Sequence, residues 1–317
     1  MLGPDGLARG CGALAGLGAV LQGLGSVVAL ASAGLPADCP APVRRVVGRA
    51  LQGALGVCRA AMERGKREAP TSGGGALVRV WRDLTVPQRF FRHFYVIGVG
   101  SFLGAFLLAR GAAAAPTVLC LALLTVHTAR RLAETIFIQI FSPDARMHVV
   151  AYVFGLLYYV TLPFSFLSRE EVAAVVAGAG GGISSAPRGW PPGAAARIST
   201  GVALYAWSSF EQSVAHWQLA ALRRSGGGDG GSRARQYFIP KGRYFELVSC
   251  PHYLFEIGLY VGLKVVQGAA AADGQTALLM LWVISNLLAS ALASHRWYRA
   301  RFKTYPPARK ALVPYVL

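Results

Sequence analysis

Histidine, arginine and glutamate are scarce inside apolar segments, yet in this 317-residue chain they recur there at helical spacing. His127, Arg130, Arg131 and Glu134 stand at i, i+3, i+4 and i+7, so they share one helical face, with Ile138 a turn further on. Ser209, Gln212, His216 and Arg223 form a second stripe with Glu211 beside it. His252 and Glu256 are four residues apart, and Asn286, Ser290, Ser294 and Tyr298 make a fourth stripe. Ionisable groups at membrane depth are costly and face a protein interior or a wet cavity, so the economical reading turns the stripes towards one another. Any single member is equally well explained as a hydrogen bond between helices or as a long side chain reaching for the interface. As a set they describe a polar cavity whose cationic mouth suits a polyanion such as a phosphorylated cofactor. None of the six histidines belongs to an HExxH motif and no GxSxG occurs, which argues against a zinc protease and an α/β-hydrolase.

The elements that must carry these stripes are apolar helices. The chain is 54% hydrophobic and 15% charged, where soluble domains hold about 25% charged residues. Seven runs are long enough to cross a bilayer: 10–37, 94–109, 111–129, 147–168, 198–222, 251–272 and 274–294. The Gly/Ala-rich stretch 172–187 is too weak for an eighth. Ala31-Ser32-Ala33 resembles a signal-peptidase site, but the apolar run before it is longer than a signal core and Asp5 weakens its positive start. The first run therefore reads as a retained anchor. Five widely spaced cysteines fit reduced, packed thiols, and neither a disulfide framework nor a zinc motif. Residues 70–75 and 225–232 read as flexible connectors. A GxGxxG at Gly226, Gly228 and Gly231 has no strand before it, so it fails as a dinucleotide fingerprint.

A net charge of +18 admits nucleic acid as a partner until its distribution is considered. With the N-terminus on the luminal side, the cytosolic segments 44–92, 223–249 and 295–317 carry eleven, six and six Lys/Arg, and Arg146 adds one. The opposite side holds Arg9, Arg110, Arg169, Arg188 and Arg197, a ratio of 24 to 5. Positive charge gathers on the cytosolic side of membrane proteins, so this asymmetry supports seven spans and makes nucleic acid unnecessary. The expectation is an all-α polytopic membrane protein, its seven transmembrane helices enclosing a cofactor cavity open to the cytosol.

Several segments carry a family resemblance. The tail His295-Arg296-Trp297-Tyr298, Phe302 and Tyr305-Pro306-Pro307-Ala308-Arg309-Lys310-Ala311-Leu312-Val313-Pro314 resembles the H-x-x-Y-x-x-x-F…Y-P-x-x-R-K-A-L-x-P ending of steroid 5α-reductases. Arg130-Arg131-Leu132-Ala133-Glu134-Thr135 with Phe141-Ser142 is similar to the R-R-L-x-E-x…F-S segment of that superfamily, enoyl-CoA reductases included. Ile239-Pro240, Phe245-Glu246-Leu247-Val248-Ser249 and Pro251-His252-Tyr253-Leu254 with Glu256 resemble its I-P…F-E-Y-V-S-x-P-N-Y-L-x-E block. The stretches 87–95 and 148–160 look like the type 3 branch, which acts on polyprenoids. The similarity runs from about residue 80 to the C-terminus, so residues 1–317 read as one reductase domain with a divergent part, 1–80, and a core, 81–317.

This resemblance implies an endoplasmic-reticulum membrane enzyme that uses NADPH to reduce an activated C=C bond. Carried over by position, its cofactor pocket falls on Arg131, Gln212, His216, Arg223, Tyr237, Lys241, His252, Glu256, His295, Tyr298 and Arg309. The chain departs from the pattern at His252, where Asn is common, and at Phe238, often Arg, which shifts phosphate contacts to Arg235, Lys241 and Arg243. The steroid-reducing members have Gln-Glu-Leu-Pro and a Tyr after the histidine of the third helix; here stand Leu84-Thr85-Val86-Pro87, with Asp83 nearby, and Thr128.

Conjugate reduction needs hydride at the β-carbon and donors around the oxygen that takes up charge. Candidates are His93, Tyr95, His127, Glu134 and Tyr159. An allylic alcohol gives no stabilised anion on accepting hydride, whereas an α,β-unsaturated aldehyde gives an enolate. The expected substrate is therefore a long-chain polyprenal, reduced to dolichal on the route from polyprenol to dolichol for protein N-glycosylation. A 3-oxo-Δ4-steroid 5α-reductase and a long-chain enoyl-CoA reductase are the enzymatic alternatives. A seven-helix receptor or transporter is the other class; no internal repeat favours a transporter.

Overall fold

The computed structural model of the chain describes residues 83–142, 144–179, 189–225, 237–268 and 275–316. The expected anchor at 10–37, the connector at 70–75 and the glycine motif at 226–231 lie outside the described residues. The other six apolar runs each fall on a helix: α1 (Phe91–Ala109), α2 (Ala115–Ala133), α3 (Val149–Thr161), α5 (Ala195–Ser225), α6 (Pro251–Gln267) and α7 (Gln275–Arg301). A further helix, α4 (Arg169–Ala179), covers part of the stretch too weak to count as a span. The all-α expectation needs one addition: β1 (Thr85–Pro87) and β2 (Arg146–His148) pair antiparallel, with Val86 opposite Met147.

By length and composition two described segments qualify as membrane-crossing, Gln88–Ala109 and Gln275–Arg301. The pair Val149–Ser165 and Arg169–Val175, bent by 94°, makes a third if taken as one span. Seven spans do not emerge by this measure, for physical reasons. The helices α2 and α5 carry the polar stripes that lower their hydropathy, and α6 has only 17 residues. Large apolar side chains nonetheless face outward from α2 and α5, among them Val126, Trp207, Phe210 and Trp217. An outer surface so apolar fits lipid better than water.

Local signals set the helix ends. Pro251 opens α6 at a position where its missing N–H costs nothing, and Gly268, at φ +75°, ends it. Arg197 of α5 closes that end by donating to the carbonyls of Val265 (2.6 Å) and Val266. Ser168 and Glu171 form a reciprocal capping box at the start of α4, and Glu171 also accepts from the Ala114 N–H at 2.9 Å. The tightest packing joins α5 to α6. A Cβ on Gly201 would lie 2.7 Å from the Gly262 carbonyl, and one on Gly262 would lie 2.8 Å from the Tyr205 N–H nitrogen. Gly258 and Gly262 make a GxxxG face, the small-residue pattern that lets membrane helices touch backbone to backbone. Cys120 and Cys250 are buried and outside any disulfide, as their spacing suggests.

Candidate active site

A π-turn, Glu134–Ile138, follows α2 and is closed by the Gln139 N–H on the Glu134 carbonyl at 2.8 Å. Such widened turns cluster at functional sites. Glu134 is 4% exposed. Its carboxylate accepts from Arg130 and Arg131 and from the Ser213 hydroxyl at 2.8 Å. His216 Nδ1 stands 2.8 Å from both Glu134 and Arg131 Nη1, and its tautomer decides which of them it serves.

From this hub the network extends to three further helices. Arg131 donates to the Tyr95 hydroxyl of α1 at 2.9 Å and lies over the Tyr95 ring, 5.0 Å from its centroid. Arg130 donates to the side-chain carbonyl of Gln212, whose amide donates to Glu256 of α6 and, at 3.4 Å, to the His252 carbonyl. His127, 3% exposed, stands between Arg130 (3.2 Å) and Glu256 (3.5 Å). The His252 ring is 5.7 Å from that of His216. Tyr159 of α3 packs edge-on against Tyr95 at 5.7 Å. Two arginines thus face two carboxylates in a place where an unpaired charge would be costly.

A second cluster forms where the C-terminal tail crosses the head of α6. The Ser249 hydroxyl meets His295 Nδ1 (2.7 Å), the Tyr305 hydroxyl (2.6 Å) and the Lys310 carbonyl (3.1 Å). Tyr298 stacks on Tyr305 at 5.4 Å, and Tyr237 meets Trp297 edge-on at 4.8 Å. Arg309 is 2% exposed. It donates to the Pro240 carbonyl at 3.0 Å and lies 3.6 Å from Glu246. Its Nε has no hydrogen-bond partner among the described residues, and its Nη2 faces only the Glu246 carboxylate at that distance. A buried guanidinium donor without a partner costs free energy that an anion would recover. Beside it a cleft of about 630 Å³ is lined by Trp217, Gln218, Tyr237, Phe238, Lys241 and Phe302 among others. Aromatic walls and a lysine fit a phosphorylated dinucleotide.

The candidates taken from the sequence therefore separate. Tyr95, His127, Arg131, Glu134, Tyr159, Gln212, His216, His252 and Glu256 lie in or against the buried network. Tyr237, Lys241, His295, Tyr298 and Arg309 gather at the tail. His93 stands apart, 2.8 Å from the Tyr152 hydroxyl and packed on Phe90. Arg223 donates to the Ile140 carbonyl beyond the π-turn. Arg243 is held by Glu211 through one guanidinium nitrogen, and Arg235 lies outside the described residues. Ser213 carried no signal in its spacing, and Ser249 and Tyr305 were visible only inside motifs.

The profile described as 3-oxo-5-alpha-steroid 4-dehydrogenase matches residues 192–317. Polyprenal reductase 1 of Arabidopsis thaliana is 33% identical over 271 residues, 74% of this chain and 82% of its own. The polyprenal reductases of Danio rerio and Caenorhabditis elegans are each 32% identical, covering 73% and 74% of this chain and 79% and 80% of theirs. The chain belongs to the steroid 5α-reductase family. Within this 5α-reductase scaffold, Thr128 returns its hydroxyl to the Leu124 carbonyl at 2.9 Å, so it offers nothing to a ligand. The segment Leu84–Pro87 is taken up by the β-ribbon.

Proposed function

We propose that this chain reduces the α-isoprene C=C bond of polyprenal to give dolichal, with NADPH as reductant. The product feeds dolichol synthesis and, through it, protein N-glycosylation. The observation that carries this reading is the similarity to polyprenal reductases over most of both chains. Seven spans, a luminal N-terminus and a cytosolic C-terminus belong to the same proposal and rest on the 24 to 5 charge asymmetry; the endoplasmic-reticulum membrane follows from the family resemblance, and a cavity open to the cytosol from the polar stripes. Residues 1–317 act as one reductase domain, with 81–317 its core.

NADPH, when bound, supplies the hydride. Lys241, His295, Tyr298 and Arg309 hold its phosphorylated end by charge and by aromatic contact, and Gln212, His216, His252 and Glu256 line the way to the reacting carbon. Arg130 and Arg131 are held by Glu134, so this wall of the site is set before ligands arrive, which avoids reorganisation during reaction.

Detergent-purified protein given NADPH should oxidise it with polyprenal and not with polyprenol. Turnover of polyprenol without any dehydrogenase would overturn the aldehyde assignment. Testosterone turned over at comparable efficiency would promote the steroid reading, which the name of the matched profile favours. His295→Ala should weaken NADPH binding roughly tenfold, the scale of one hydrogen bond to a charged group. Titration of the cofactor without substrate measures this, and unchanged affinity would remove His295 from the pocket.

A further inference from the structure

Five side chains are candidates for holding the substrate oxygen, and their existing partners separate them. Ionised Glu134 can only accept hydrogen bonds and already receives several. Both ring nitrogens of His127 are engaged, one towards Glu256 and one towards Arg130. His93 faces Tyr152. Two phenols remain. The Tyr95 oxygen accepts from Arg131, which leaves its own proton with no acceptor among the described residues. The Tyr159 hydroxyl makes no hydrogen bond to the described residues, and its ring packs edge-on against that of Tyr95, 5.7 Å away. The neighbouring phenol of Tyr205 is committed, donating to the Leu123 carbonyl at 2.6 Å.

The backbone is shaped to bring Tyr159 there. Gly98 of α1 has its missing Cβ position 2.7 Å from the Tyr159 ring and 3.2 Å from the Thr128 methyl. Bare backbone on α1 and a short side chain on α2 leave the slot in which a tyrosine from α3 reaches the face that carries Arg131.

We propose that Tyr95 and Tyr159 form a two-donor clamp for the carbonyl oxygen of the α,β-unsaturated aldehyde, with Arg131 positioning and polarising Tyr95. This rests on the function proposed above. As hydride adds to the β-carbon, the C=C electron pair moves into the bond between the α-carbon and C1, and the carbonyl pair moves onto oxygen. Both phenols keep their protons and donate to that oxygen. A proton from water then adds at the α-carbon as the carbonyl re-forms, so one hydride and one proton are consumed per double bond. An alcohol has no carbonyl to polarise, and the clamp gives it no advantage.

Tyr159→Phe and Tyr95→Phe test this with two readouts. Turnover with polyprenal should fall about 100-fold or more in each, the scale of one lost oxyanion donor. Polyprenal labelled with ¹³C at C1 and bound without NADPH should show its carbonyl stretch at lower wavenumber in the wild type, shifting back upward in each variant. An unshifted band in Tyr159→Phe, or turnover within threefold of wild type, would overturn the clamp. Loss of folding in Tyr159→Phe would also overturn it, since it would reveal a structural partner for that hydroxyl; Tyr95→Phe then tests its donor alone. Wild-type protein inert towards polyprenal sinks the proposed function instead, and is read first.

Discussion

Glu134→Gln lowers the apparent melting temperature in detergent by about 10 °C and takes turnover below detection. The glutamate is 4% exposed and is the shared acceptor of Arg130, Arg131 and Ser213, with His216 in contact. Glutamine keeps one oxygen but turns an amide donor towards guanidinium donors, and it leaves two cations facing only Glu256. Removing one member of a buried charge network costs about 3–5 kcal/mol, or roughly 10 °C in a chain of this size. Catalysis suffers separately, because Arg131 then no longer holds Tyr95 and His216 loses an anchor. Glu211→Gln is the comparison: Glu211 is as buried as Glu134, but its one ion-pair partner, Arg243, is 48% exposed and can turn to solvent, so the expected loss is smaller, about 1–2 kcal/mol. Thermal unfolding of both variants decides the matter. Equal losses would mean that Glu134 is one more ion pair and not a hub.

Gly262→Val should be as damaging by a different route. The new Cβ would meet the Gly201 carbonyl and the Tyr205 nitrogen, both at 2.8 Å. Those are backbone atoms, so no rotamer change relieves the clash and α5 must move away from α6. Overpacking of this kind costs about 1–3 kcal/mol or more. The two helices carry Gln212, Ser213 and His216 on one side and His252 and Glu256 on the other, so their separation breaks the Gln212–Glu256 link. A displacement near 1 Å is enough for about a 100-fold loss of rate. Gly104→Val on α1 has nothing within 4 Å of the new Cβ and should leave turnover within twofold to threefold. Activity retained in Gly262→Val would refute the close α5–α6 contact.

Hydropathy and charge are properties of the chain taken one residue at a time, and what depends on them was legible without coordinates. Six of seven apolar runs fall on helices, and the stripes on α2, α5 and α6 supply the buried network, because a 3.6-residue period places i and i+4 on one face whatever the helix packs against. The family was legible for a similar reason, since its motifs are contiguous. Tertiary structure decided which members of each stripe meet. Neighbours in sequence diverge: Gln212 joins the network while Glu211 turns to Arg243, and Ser213 bonds Glu134 where the periodicity had singled out Ser209. His93 went to Tyr152 although it sits two residues from Tyr95. Helical spacing tells which side chains share a face; the approach of another helix sets which of them finds a partner. That approach was decided by Gly98 at α3 and by Gly201 and Gly262 between α5 and α6, where absent side chains let distant segments come within contact.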